Sequence, residues 1–270
     1  MQIGNKEFDL ENRAYIMGIL NVTPDSFSDG GNYRTVDAAL RCVEKMIEDG
    51  ASIVDIGGES TRPGYMPVEE HQEIDRVAPV IEAVKARLDI PISIDTYKAK
   101  VASAAIDAGA DMVNDIWGLQ GEGMARLVAD RRVPVCIMHN RDVQTRPYES
   151  LIEDVLDDIR HSIRIGAGAG VLKSNMIVDP GIGFAKSYEE NIAVMKHLHR
   201  FNELDMPILL GTSRKSMIGI ALDVPVDERL EGTIATTVYG IMNGCSIIRV
   251  HDVKENYRAL RMTEAMLGRV

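Results

Sequence analysis

Short apolar runs rich in β-branched residues recur along the chain: YIMGILNV (15–22), SIVDIGG (52–58), PISIDT (91–96), DMVNDIWG (111–118), VPVCIMHN (133–140), NMIVDPG (175–181), PILLGTS (207–213) and CSIIRVHD (245–252). They lack the strict alternation of a strand with one wet face. Continuous apolar runs are what parallel strands need when helices cover their sheet. The stretches between them follow a helical period, as with Val36, Leu40, Val43 and Ile47, and Gly50 stands where a left-handed cap is easy. Ser187 with Glu190, and Asp252 with Glu255, have capping-box spacing, and Ile192, Met195 and Leu198 continue an apolar stripe. Pro79 interrupts the second helical stretch and predicts a kink or an early break.

Strand and helix alternate eight times with no Pro/Gly/Ser-rich linker or low-complexity segment between halves. This predicts a closed parallel (β/α)8 barrel, a TIM barrel, rather than an open doubly wound sheet, with residues 1–270 as a single domain. Residues 2–14 precede the first run, and their position and mixed polarity predict a short hairpin closing the barrel floor.

Charge narrows the partners. Lys and Arg total 30 against 41 Asp and Glu, a formal net charge of −11, which argues against nonspecific attraction to nucleic acid or an anionic membrane. An anionic substrate therefore needs a local cationic site. The first residues lack the basic start and apolar stretch of a signal peptide, and no run reaches the roughly 18 apolar residues of a membrane span, so a cytoplasmic chain is expected. Cys42, Cys136 and Cys245 fit neither a metal knuckle nor a redox pair and read as buried free thiols.

In such barrels the chemistry sits at the C-terminal ends of the strands. Those ends carry Asn21, Asp55, Asp95, Asn114 with Asp115, His139 with Asn140, Asp179, Ser213 with Arg214 and Lys215, and Arg249 with His251. Any single Asp among them could be a helix cap or a loop hydrogen bond. Asp55, Asp95 and Asp179 lie within or directly after apolar runs, where a buried carboxylate needs a dedicated donor or a ligand. Carboxylates and amides together suit a flat heterocycle with adjacent N–H groups. Arg62, Lys215, Arg249 and His251 on the same face of an acidic chain suit a phosphate or pyrophosphate. Surface solvation is a fair account of Arg214, but a poor one of Arg249 inside IIRV. Two Gly-rich loops, NVTPDSFSDGG (21–31) and GGESTRPG (57–64), have the composition of lids; neither is a Walker or Rossmann phosphate loop.

The segments NVTPDSFSDGG, DIGGESTRPG, SIDTYK, NDI, MH, DPGIGFAK, GTSRKS and RVHD, spread over essentially the whole chain, resemble the dihydropteroate synthase family, the folate-pathway members of the pterin-binding barrels. The resemblance implies condensation of 6-hydroxymethyl-7,8-dihydropterin pyrophosphate with 4-aminobenzoate. It assigns Asp95, Asn114, Asp179 and Lys215 to the pterin ring with Ile116 and Met138 as apolar walls, and makes Asn21 the protein ligand of Mg2+. It also gives Thr61, Arg62, Arg249 and His251 to the pyrophosphate, and Phe27, Pro63, Phe184, Ser213 and the Lys215 stem to the aminobenzoate pocket. Asp95, Lys215, Arg249 and His251 are the residues it implies for catalysis. It further implies a homodimer packed through late barrel helices. Ala185 and Ser187 depart from the family, which more often has Gly and Thr there, so an altered fit of that loop is expected. A methyltetrahydrofolate-to-corrinoid methyltransferase on the same barrel, and a pterin-binding barrel without activity, stand as alternatives; the first would not need the pyrophosphate equipment.

Other polar residues read as structural. Trp117 is expected to pack beside the site, His71, His161, His197 and His199 to lie on the surface, and Glu153, Asp154, Asp157 and Asp158 to form a solvated helix face. His139 fits either a pocket group or a hydrogen-bonded structural one.

Overall fold

The computed structural model describes residues 1–23, 32–59 and 67–269, with backbone alone for 32–35. A two-stranded antiparallel hairpin, β1 (Gln2–Ile3) and β2 (Lys6–Glu7), precedes the repeat. There follow β3 (Tyr15–Asn21), α1 (Asn32–Glu48), β4 (Ile53–Gly57), α2 (Glu70–Arg87), β5 (Ile92–Asp95), α3 (Ala99–Asp107), β6 (Met112–Asp115) and α4 (Met124–Arg131). The second half comprises β7 (Val135–Met138), α5 (Leu151–Ala169), β8 (Met176–Asp179), α6 (Tyr188–Lys196), β9 (Ile208–Leu210), α7 (Ser216–Leu222), α8 (Leu230–Met242), β10 (Cys245–Val250) and α9 (Val253–Met266). Strands β3 to β10 pair in parallel and in chain order, and β10 returns to β3 to close the barrel. All eight expected strands are present.

The apolar runs conceal a period of two. Ile16, Val54, Ile92, Ile94, Val113, Val135, Ile137, Val178, Leu210 and Ile248 face outward into a ring of core shared with helix residues such as Val43, Val77, Ile81, Val101 and Leu156. The alternate residues face inward. Met17, Ile53, Met112, Cys136, Ile177, Leu209 and Ile247 fill the lower barrel, and Ile3, Phe8 and Leu10 of the N-terminal segment cap them from beneath. The floor hairpin is thus where position and polarity placed it. Burying each such side chain contributes about 1.5–3 kcal/mol, so both faces of every strand hold it in register.

Two local expectations change. Helix α2 runs unbroken through Pro79; the ring forfeits one intrahelical bond, and the buried stripe Val77, Val80, Ile81 and Val84 holds the helix together across it. Asp252 precedes α9 without capping it, because its carboxylate accepts from Arg214 instead (Nε to Oδ2, 3.0 Å). The other capping box, Ser187 with Glu190, is formed in both directions, and α1 gives way to Gly50 at φ +106°. Cys136 and Cys245 are buried and Cys42 is half-buried, all as free thiols. Among the described residues no helix is long and apolar enough to cross a membrane.

Candidate active site

On four strands a move of two residues up the inward column turns it from apolar to polar, Ile53 to Asp55, Met112 to Asn114, Ile177 to Asp179 and Ile247 to Arg249, and on β5 the buried Ser93 is followed by Asp95. Register sets Asn21, Gly57, Asp95 and Asn114 on one rung of four adjacent strands, and Met138 beside Asp179 on another pair. Arg249 reaches across the barrel axis. Its Nε donates to Asp55 Oδ2 and its Nη2 to Asp95 Oδ2, each at 2.6 Å. Asn114 Nδ2 also donates to Asp55 Oδ2 at 3.1 Å. The other oxygens, Asp55 Oδ1 and Asp95 Oδ1, are buried without a donor among the described residues. Such acceptors call for a donor from elsewhere.

Burial opposes the charge of Arg249, yet Asp55 and Asp95 more than restore it, and the guanidinium stays charged. Burial pushes the Asp95 carboxyl up to about 7, with Arg249 pulling the other way and Asp55 adding to the rise. Burial likewise raises Asp179, against Lys215 and the Gly181 N–H. Lys215 is lowered to about 8 by burial, with Asp179 opposing. The mouth therefore holds a carboxyl, Asp95, and a lysine, Lys215, whose protonation is balanced near neutrality, a condition common among groups that engage a ligand.

Lys215 heads α7, donates to Ile182 O and lies 4.7 Å from the centre of the Phe184 ring. Ser213 Oγ lies 3.0 Å from His251 Nδ1 and accepts from the His251 backbone N–H at 3.2 Å. Ile116 and Met138 are almost wholly buried. Asp95, Asn114, Asp179, Lys215 and Arg249 therefore share one cavity mouth, with Ser213 and His251 paired beside it. Phe27, Thr61, Arg62 and Pro63 lie outside the described residues. Asp115 takes the structural role instead: fully buried, it accepts from the N–H groups of Trp117 and Leu119 and shapes the turn after β6. His71, His161, His197 and His199 are exposed, and Trp117 is half-buried beside the site.

A second layer was not visible from the sequence. Asp158 is buried, not part of a solvated face: it stands at helical spacing with Val155, Ile159 and Ser162 on the inner side of α5, whereas Glu153 and Asp157 are exposed. Its carboxylate accepts from Arg141 Nε (2.8 Å) and from Arg146, and lies 3.2 Å from His139 Nε2. His139 is accordingly a hydrogen-bonded structural group, and burial with the nearby Lys186 ammonium lowers its pKa to about 4. Around the second loop, Lys98 Nζ binds Glu59 Oε2 (2.5 Å), Glu73 Oε2 (2.7 Å) and Val68 O (2.6 Å), while the Val68 N–H donates to Glu59. That cluster joins the residues on either side of segment 60–66 to α2 and to the start of α3. Asp55 gains a role as well, as the second arm of the Arg249 fork.

A parallel barrel whose polar mouth sets carboxylate oxygens, without a donor among the described residues, beside a lysine and a forked arginine has the build of a small-molecule enzyme. Residues 17–251 match the family described as "Pterin binding enzyme". The dihydropteroate synthase of Clostridium beijerinckii is 57% identical over 271 residues, covering 100% of both chains. The crystal structure of a dihydropteroate synthase from Clostridium difficile, with pteroic acid, superposes with TM-score 0.93 at 52% identity, covering 96% of this chain and 99% of that one. A Yersinia pestis dihydropteroate synthase with a sulfonamide drug gives 0.92 at 42% identity, covering 99% of each. The chain belongs to the dihydropteroate synthases of the pterin-binding enzyme family.

The loop after β8 explains one departure from the family pattern. Ala185 has φ +51°, a left-handed conformation in which a Cβ costs about 1 kcal/mol. Glycine would remove that cost and return about half of it as unfolded-chain entropy. Ala185→Gly should therefore raise the unfolding free energy by roughly 0.5 kcal/mol in urea titrations; a destabilised variant contradicts the strain.

Proposed function

We propose that the chain condenses 6-hydroxymethyl-7,8-dihydropterin pyrophosphate with 4-aminobenzoate, giving 7,8-dihydropteroate and pyrophosphate in folate biosynthesis. The observation that carries this reading is the Arg249 fork across Asp55 and Asp95, with Asp179 and Lys215 in the same mouth. The pterin lies in the slot: Asp95 and Asp179 accept from its N–H groups, Asn114 donates and accepts at its edge, and Lys215 donates to it. Ile116 and Met138 cover its faces. Arg249 spends two of its five N–H donors on the carboxylates and keeps the rest for the pyrophosphate, joined by His251, Thr61 and Arg62. Ser213, Phe184, Phe27 and Pro63, with the Lys215 stem, form the aminobenzoate pocket.

The C–O bond to pyrophosphate breaks first and its electron pair leaves with the pyrophosphate oxygen, where the arginines stabilise it. Asp95 and Asp179 stabilise the positive charge that spreads over the pterin and its exocyclic methylene. The amine of 4-aminobenzoate then forms the new C–N bond and loses a proton. No covalent bond to the protein is required. Asn21 would hold a magnesium ion: its half-buried amide stands at the upper rim of β3, and no cluster of three His, Cys, Asp or Glu suited to a metal occurs among the described residues. A single protein oxygen with water and phosphate oxygens suits Mg2+, which supplies positive charge to the leaving pyrophosphate.

The reading extends to assembly, place and inhibition. Ile220, Leu222, Tyr239, Met242, Met262 and Met266 are exposed on the consecutive helices α7, α8 and α9, an apolar surface that suits a homodimer. The reduced thiols suit a cytoplasmic location. The sulfonamide complex of the Yersinia relative supports sulfonamide competition with 4-aminobenzoate at the Ser213 and Phe184 pocket.

Pyrophosphate release should require both substrates, cease with a chelator and return with Mg2+; release without the amine, or of a methyl group in place of pyrophosphate, defeats the reading. Asp95→Asn should lower kcat by about 100-fold or more while leaving the far-ultraviolet spectrum unchanged; near-normal turnover takes Asp95 out of its role. In light scattering the chain should be a dimer, and joint Met242→Glu and Met262→Glu substitution should halve the mass; an unchanged mass removes this face as the interface.

A further inference from the structure

Lys186 lies behind the pocket and takes no part in the chemistry above, yet its ammonium is fully engaged. Nζ contacts His139 Nδ1 at 2.9 Å, Gly181 O at 3.0 Å and Phe184 O at 3.1 Å, three acceptors for its three donors. His139 can accept at Nδ1 only when its proton is on Nε2, and Nε2 faces Asp158 at 3.2 Å. Asp158 is fixed in turn by Arg141 and Arg146, with the Arg141 guanidinium 4.4 Å from the centre of the Tyr148 ring. In the series Arg141, Asp158, His139, Lys186 each member faces the next, and burial lowers Lys186 to about 7, with Asp179 opposing.

The two carbonyls that Lys186 holds are the ends of one turn, since the Phe184 N–H donates to Gly181 O at 3.1 Å. That turn does not hold itself in an ordinary way. Gly181, Gly183 and Ala185 all have positive φ, at +68°, +85° and +51°, and a Cβ on Gly181 would lie 2.0 Å from His139 O. External partners fix it: Gly183 N–H to Asn191 Oδ1 (2.6 Å), Tyr148 OH to Ala185 O (3.0 Å), and Lys186 at both ends. What the turn presents to the mouth is Ile182 O, which receives the Lys215 ammonium, and the Phe184 ring beside it.

We propose that Lys186 is a positioning residue for the aminobenzoate wall: oriented by the Asp158–His139 pair, its ammonium locks turn 181–184 so that Phe184 and Ile182 O stand against Lys215. This rests on the functional reading above and adds to it a group that touches neither substrate. Asp95, Asn114 and Asp179 are carried by strands β5, β6 and β8, so the pterin half of the site depends less on the clamp. An arginine cannot replace the lysine, because a planar fork does not serve three acceptors set around one tetrahedral nitrogen.

Titration calorimetry with pteroic acid, which spans both halves of the pocket, and with 6-hydroxymethylpterin, which fills one, separates the clamp from general damage. Losing hydrogen bonds from a charged donor should weaken pteroic acid about tenfold in Lys186→Met, with hydroxymethylpterin within about threefold. The KM for 4-aminobenzoate should rise in proportion while that for the pterin substrate holds. Lys186→Arg should not restore either. Asp158→Ala, which removes the acceptor that fixes the His139 proton on Nε2, should shift the same ratio and carries the test if the methionine variant does not fold. Equal losses for both ligands, or none, overturn the clamp and leave the functional reading standing. A wild-type chain that binds neither ligand overturns that reading and the clamp together.

Discussion

Three charged side chains meet inside the barrel, and the arrangement of the molecule follows from what they require. Arg249 sits between Asp55 and Asp95 with 2.6 Å bonds to each. Charges taken out of water are costly unless paired, and breaking such a pair typically costs several kcal/mol. Dryness also strengthens the pairing. The lower barrel is therefore filled with Met17, Ile53, Met112, Cys136, Ile177, Leu209 and Ile247, and Ile3, Phe8 and Leu10 close it from below. The fork thus stands above a packed apolar floor. The pairing is also incomplete by construction, since one oxygen of each carboxylate has no donor among the described residues. The site is thus electrically held together and chemically unfinished.

Much of the architecture is legible from the chain, for a reason that also limits the reading. Strands covered on both faces read as continuous apolar runs, which locate all eight but hide which residues face inward. Only the polar exceptions reveal it: Asp55, Asp95, Asn114, Asp179 and Arg249 fall on the inward column because nothing else there needs a polar group. Local signals behave unevenly. The Ser187 box forms because both partners are exposed and uncontested. The box expected at Asp252 does not form, since Arg214, 38 residues away, offers its carboxylate a charged partner. Pro79 fails to end α2 because four buried residues downstream and upstream of it outweigh one missing bond.

The site divides in the same manner. Groups that meet a ligand stand at strand ends and can be listed from the barrel rule; groups that hold those groups do not. Asp158 belongs to a run of acids on α5, and only its coincidence with Val155, Ile159 and Ser162 on one helical face distinguishes it from exposed Asp157. Lys186 lies one residue past a strained Ala185, and one of its three acceptors, on His139, is 47 positions away. Lys98, with Glu59 and Glu73, is equally silent in the sequence, since its value lies in joining α2, α3 and the residues bordering a loop.

The order of the strands has a consequence for how the molecule comes into being. The two carboxylates lie in the first half of the chain, while the cation between them is on the strand that closes the ring, 194 residues from Asp55. A growing chain that has not yet delivered β10 holds the two carboxyl groups without the guanidinium that bridges them. The strand that closes the ring is therefore also the one that brings the two carboxylates their shared partner.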